Sequence, residues 1–200
     1  MIDNKELILG IDVSSSCCGF TLMDLQGKLV KIFHIAPKLP KHLQNDLMEK
    51  ANIIEFVLQE YKDLNIKHIA IEEPLLGSNN IFTIATLLKF NGIISYLTYK
   101  IFNVKPEYIS VYNARKMFFP EFVVEEKGKK ILRFPKDVDK KELVFSKVTY
   151  LEPSIDVIYS KFFKIKKENY DRSDSYVVAK AGLILNNYIP SLEPITEYFK

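Results

Sequence analysis

Apolar positions along the chain change spacing several times, and each change predicts an element. Residues 7–11 form a short apolar run that stops at Asp12, and residues 19–23 and 29–35 continue as two further runs joined around Gln26-Gly27, which predicts three strands in an antiparallel meander. Between residues 45 and 61 the apolar positions Leu47, Ala51, Ile54, Val57 and Leu58 take helical spacing behind an Asn or Asp cap. Residues 68–71 then read as a buried strand ending in Glu72-Glu73-Pro74. Residues 81–102 are apolar over much of their length, but Lys89, Asn91 and Lys100 interrupt them, so a core or dimer-interface helix is expected rather than a membrane span. A fifth strand at 108–111 precedes a helical turn capped by Asn113 and closed by Pro120, followed by a lysine-rich loop or small hairpin to about Asp137. Residues 139–151 form a helix with a basic face, and residues 172–188 a last helix with Val177, Val178, Ala181, Leu185 and Tyr188 turned inward.

This order predicts an α/β layout with a mixed sheet, and its acidic residues fall where elements end. Two hundred residues, 48% hydrophobic and 26% charged, fit one globular domain (1–200), with a basic insertion around 120–138. The opening residues 1–6 lack a basic n-region, so neither a signal peptide nor an anchor is expected. Cys17 and Cys18 are neighbours, too close for a loop-closing disulfide and too few for a structural zinc site, which favours a reducing, cytoplasmic setting. A net charge of +3 says little, but residues 127–147 hold eight Lys or Arg against three Asp or Glu, so positive charge is concentrated there.

The carboxylates carry the chemistry. Asp12 and Glu72 each end an apolar strand, where an ionised acid requires hydrogen bonds, a cation or a metal. Asp171 and Asp174 share one face at the start of the last helix. Taken singly, Asp12 reads as a turn former, Glu72 as a surface-edge residue and Asp171 as a helix cap. Taken together, three elements deliver carboxylate at their ends, and hard cations such as Mg²⁺ or Mn²⁺ take such oxygen ligands. Glu73 rivals Glu72, and strand alternation favours Glu72.

These residues resemble the RuvC-type Holliday junction resolvases of the RNase H-like, retroviral-integrase nuclease superfamily. Gly10-Ile11-Asp12-Val13-Ser14-Ser15 followed by Gly19-Phe20 is similar to the family's opening Gly-Ile-Asp-Pro-Gly-Ser and later Gly. Ala70-Ile71-Glu72 resembles its second-acid strand, and the residues from Asp171 to Ala179 its closing Asp-x-x-Asp-Ala helix. The resemblance implies an RNase H-like fold, a five-stranded mixed sheet with three antiparallel opening strands, flanked by helices. It further implies Asp12, Glu72, Asp171 and Asp174 as catalytic acids holding two Mg²⁺ or Mn²⁺ ions, branched DNA as substrate and a homodimer as the working unit. Arg115 and Lys141 look like its basic residues near the site. Two departures stand out: Val13-Ser14 replaces Pro-Gly, and Leu75 occupies the place of an aromatic residue used to open junctions, a role Phe82 could take.

Basic residues supply the remaining expectations. Arg115, Lys116, Lys140, Lys141 and Lys147 are candidate DNA contacts, with Phe134 or Phe145 near enough in sequence to stack on bases. Lys161, Lys164, Lys166 and Lys167 form a second cluster around Phe162 and Phe163, which burial preference assigns to the core. Gly10-Ile11-Asp12 with Ser14, Ser15 and Gly19 is also similar to the first phosphate loop of sugar-kinase/actin-type phosphotransferases, but 200 residues are too few for their two lobes and no second glycine-rich loop is evident. A catalytically inactive binding module is the third reading, disfavoured by the retention of all four acids.

Overall fold

A computed structural model describes residues 5–74 and 80–199 of the chain. Strands β1 (Leu7–Val13), β2 (Cys18–Asp24) and β3 (Leu29–Ile35) form the antiparallel meander, with Asp12 opposite Gly19. The β2–β3 turn needs a left-handed residue, supplied by Gly27 at φ 82°, and Asp24 Oδ1 accepts from the Lys28 backbone N–H. β4 (Ile66–Glu73) lies parallel to β1 on its other side, and β5 (Glu107–Ser110) lies parallel to β4. The result is the expected five-stranded mixed sheet, in the order β3-β2-β1-β4-β5.

Helices cover both faces, so the central strand β1 is buried throughout and reads as continuously apolar. One face receives α1 (Leu47–Leu58), capped by Asp46, and α2 (Ile81–Phe102), capped by Asn80. Their Ile54, Phe90, Ile94 and Leu97 pack on Leu7, Leu9, Ile11, Ile69 and Ile71. α2 is long and apolar enough to cross a membrane by length and composition, yet it lays its Phe90, Ile94 and Leu97 face on this sheet. The other face receives α3 (Val111–Phe118), α4 (Lys140–Leu151) and α5 (Glu168–Leu185), which pack on Ile8, Met23, Ala70 and Ile109.

Several boundaries differ from expectation for identifiable reasons. α3 is capped by Ser110, not Asn113, because the Ser110 hydroxyl already accepts from the Asn113 N–H. α5 starts before Arg172: its first turn is polar, so apolar spacing did not mark it, and the Asn169 side chain anchors that turn to the Ile158 backbone. The lysine-rich stretch forms a hairpin, β6 (Val123–Glu126) with β7 (Lys129–Leu132).

Candidate active site

Alternation along the strands decides which acids meet. Ile8 of β1 packs toward α5, so Gly10 and Asp12 share that face; Ala70 of β4 does likewise, so Glu72 joins them. Glu73 therefore falls on the opposite face, where it lines a recess with Leu88, Tyr108 and Tyr112. Because β1 and β4 are adjacent and parallel, with Ile11 beside Ile71, Asp12 and Glu72 emerge from the same end of the sheet.

Two glycines let α5 close over that end. A Cβ on Gly10 would lie 2.4 Å from the Ser175 carbonyl oxygen, and one on Gly19 would lie 2.0 Å from that of Asp171. Thr21 and Ser175 join their hydroxyls at 2.8 Å across the same seam. The helix backbone thus rests on the strands themselves, and Asp171 and Asp174 are delivered beside Asp12 and Glu72. Asp171 lies within the first turn and does not cap it, since Lys167 holds the N-cap position.

Burial and mutual repulsion hold protons on this cluster. Asp12 is raised well above the usual carboxylate range by burial and then by Glu72, Asp174 and Asp171, with Lys141 opposing. Burial, followed by Asp174, pushes Glu72 up to about 8 against Arg115 and Lys141. Burial also raises Asp174 and Asp171, the former opposed by Arg115 and the latter by a hydrogen bond from the Cys17 thiol. The Arg115 Nη2 donates to Asp174 Oδ1 at 3.1 Å, and its Nε is buried with no partner among the described residues.

Among the described residues Arg115 and Lys141 are the cations that oppose this rise, so full ionisation of the four acids calls for further positive charge. Among the described residues no group of three or more His, Cys, Asp or Glu side chains is arranged as a metal-holding cluster. What suits a hard divalent cation is the donor chemistry: an all-oxygen set, Asp12 and Asp174 buried and Glu72 and Asp171 half-buried, short of positive charge and reaching a groove at Asp171. That groove, about 820 Å³, runs past Asp171, Cys17, Ser14 and Lys141 to Lys166 and Lys167.

Cys17, which the sequence marks only as one of two neighbouring cysteines, meets the acid cluster. The Ser14 hydroxyl donates to the Cys17 carbonyl at 2.7 Å, and that bend aims the thiol at Asp171; no spacing in the sequence signals it.

Other candidates separate. Lys140 is exposed with its Nζ 5.9 Å from the Phe134 ring, and Lys116 lines a different recess beside Lys130 and Glu125. Lys147 is not a DNA contact: it is fully buried, donating to both oxygens of Glu121 at 2.9 and 3.0 Å and to the Phe118 carbonyl. Its place in the apolar stripe of Leu143, Val144 and Val148 was a readable sign of this. Phe134 packs on Phe119 and Phe122, and Phe145 meets Tyr170 edge-on, so neither is a free stacking platform. Phe162 and Phe163, expected in the core, are 72% and 88% exposed. Leu75 lies outside the described residues, while Phe82 is exposed and lines a recess with Ser14 and Lys50.

No family model matches the sequence, and no curated protein does. Solved structures do match. RuvC of T. thermophilus in complex with a Holliday junction substrate superposes with a TM-score of 0.60 at 11% identity, covering 90% of this chain and 96% of that one. A second T. thermophilus RuvC structure gives 0.53 at 13% identity over the same shares. A ROK family transcriptional regulator, a homologue of the E. coli MLC protein, reaches 0.39 at 15% identity over 57% of this chain and 30% of that one. The chain thus has a RuvC-like, RNase H-like fold.

Proposed function

We propose that this protein is a metal-dependent, structure-selective DNA endonuclease that resolves four-way junctions or other branched DNA by paired nicks. The observation that carries the proposal is the convergence of four acids, Asp12 and Asp174 buried and Glu72 and Asp171 half-buried, opposed among the described residues by Arg115 and Lys141. The RuvC-like fold supports it, since one neighbour of that fold was solved with a Holliday junction substrate.

In this reading the four acids hold two Mg²⁺ or Mn²⁺ ions, which when bound supply an activated water and charge stabilisation at the scissile phosphodiester. The chain's own residues do the positioning. Arg115 fixes Asp174 through the 3.1 Å hydrogen bond, and the Cys17 thiol fixes Asp171. Lys141 at the groove offsets the acids, which would otherwise repel a polyanion, and gives an approaching phosphate a partner. Two symmetric nicks require two sites, hence a homodimer.

The test is cleavage of a synthetic four-way junction with Mg²⁺ or Mn²⁺, beside linear duplex, forked and RNA/DNA hybrid substrates, by the native chain and by Asp12→Asn. Metal-dependent cutting of branched DNA that Asp12→Asn abolishes is the expected outcome. Metal-dependent cleavage of none of these substrates would overturn the nuclease reading.

A further inference from the structure

The segment before α5 is an ordered hairpin with an unusual tip. Tyr159 pairs with Ile165 in an antiparallel bridge, and the Ser160 N–H donates to the Lys164 carbonyl at 2.8 Å. The Ser160 hydroxyl accepts from the Phe162 and Lys164 N–H groups. Two buried polar residues of α5 hold its base: Asn169 bonds both backbone groups of Ile158, and Arg172 donates to the Asp156 carbonyl.

This scaffold presents Phe162 and Phe163 to solvent, with the Lys161 Nζ 5.0 Å from the Phe162 ring. Phe163 sits at φ 58°, a left-handed conformation that glycine or asparagine adopts more readily than a bulky residue. Neither burial nor backbone geometry explains phenylalanine there. The base of the hairpin answers the question of location: Ile165, Lys166 and Lys167 line the groove that opens at Asp171 and Lys141.

We propose that residues 160–164 form a nucleic-acid prong, on which Phe162 and Phe163 stack against unpaired bases of a strand leaving the acidic site while Lys161, Lys164 and Lys166 hold its phosphates. Aromatic faces between lysines match single-stranded DNA, whose bases offer π-faces and whose backbone is anionic. The inference rests on the nuclease reading of the acids and adds a specificity element to it: the prong favours junctions and forks over continuous duplex.

The chain has no tryptophan, so Phe163→Trp places a single fluorescent reporter at the tip. Binding is measured in EDTA, independently of cleavage. The indole is expected to be quenched by forked DNA with single-stranded arms and to respond little to blunt duplex. Phe162→Ala combined with Phe163→Asn, which suits the left-handed backbone, is expected to weaken fork binding about 10-fold and to leave duplex binding within about twofold. Unchanged fork affinity, an equal loss on duplex, or an indole that responds to phosphatidylglycerol vesicles and not to DNA would each overturn the prong. If the native chain cuts junctions while the double variant binds forks normally, the prong fails and the nuclease reading stands. If the reporter and the double variant behave as expected but nothing is cut, the prong stands and the nuclease reading fails.

Discussion

Lys141 and Lys147 stand on the same helix and carry the same charge, yet one faces a groove and the other the core. Removing half of the Lys147–Glu121 pair strands a buried charge, so Lys147→Ala should cost about 3–5 kcal/mol in denaturant unfolding. Lys147→Met with Glu121→Gln should recover most of that loss. The acids behave in the opposite sense. Because Asp12, Glu72, Asp171 and Asp174 have raised folded-state pKa values, the folded chain binds protons that the unfolded chain releases. The stability they contribute is complete below the ordinary carboxylate range and is lost as pH rises through the folded values, about 8 for Glu72. Without divalent ions, thermal stability should therefore fall between roughly pH 5 and pH 8, and Asp12→Asn should flatten that fall. Mg²⁺ should raise Tm more at the upper end of this range than at the lower. A Tm that rises with pH in EDTA would contradict the assignment.

The seam between α5 and the strands is where element geometry makes the site. Gly19→Ala must push its Cβ against backbone of Asp171, at 2.0 Å from the carbonyl oxygen, so the first turn of α5 has to move. The expected result is cleavage lost by about 100-fold or more with metal affinity reduced, in a chain that still gives native-like circular dichroism. Much of this was legible in the sequence. Asp12 and Glu72 ended apolar runs, the spacing of Asp171 and Asp174 put them on one face, and alternation chose Glu72 over Glu73. The early start of α5 was hidden because residues 168–171 are polar and follow no apolar period. The exposure of Phe162 and Phe163 was hidden because it depends on a turn organised by Ser160, and composition assigns phenylalanine to the core.

Across the whole molecule, α2 carries an exposed stripe of Ile81, Leu88, Tyr96 and Tyr99 opposite its core face. Of the apolar residues that the sequence of this helix offers for a dimer, Leu87, Leu88, Ile94 and Leu97, the last two are committed to the core, Leu87 is half-buried and Leu88 lies on that stripe. For the proposed homodimer, with this stripe as its interface, Leu88→Glu with Tyr96→Glu should give a monomer by analytical ultracentrifugation and uncouple paired nicks into single ones. Persistence of the dimer would move the interface elsewhere.

Catalysis by one set of four carboxylates, Asp12, Glu72, Asp171 and Asp174, is the proposed chemistry. It is tested most directly by Mg²⁺-dependent cleavage of a four-way junction with Glu72→Gln and Glu73→Gln measured side by side. Glu72→Gln should lose on the order of 100-fold or more in rate, whereas Glu73→Gln, on the opposite face of the same strand, should stay within about twofold of the native chain. Full activity in Glu72→Gln, or its loss in Glu73→Gln alone, would contradict the account.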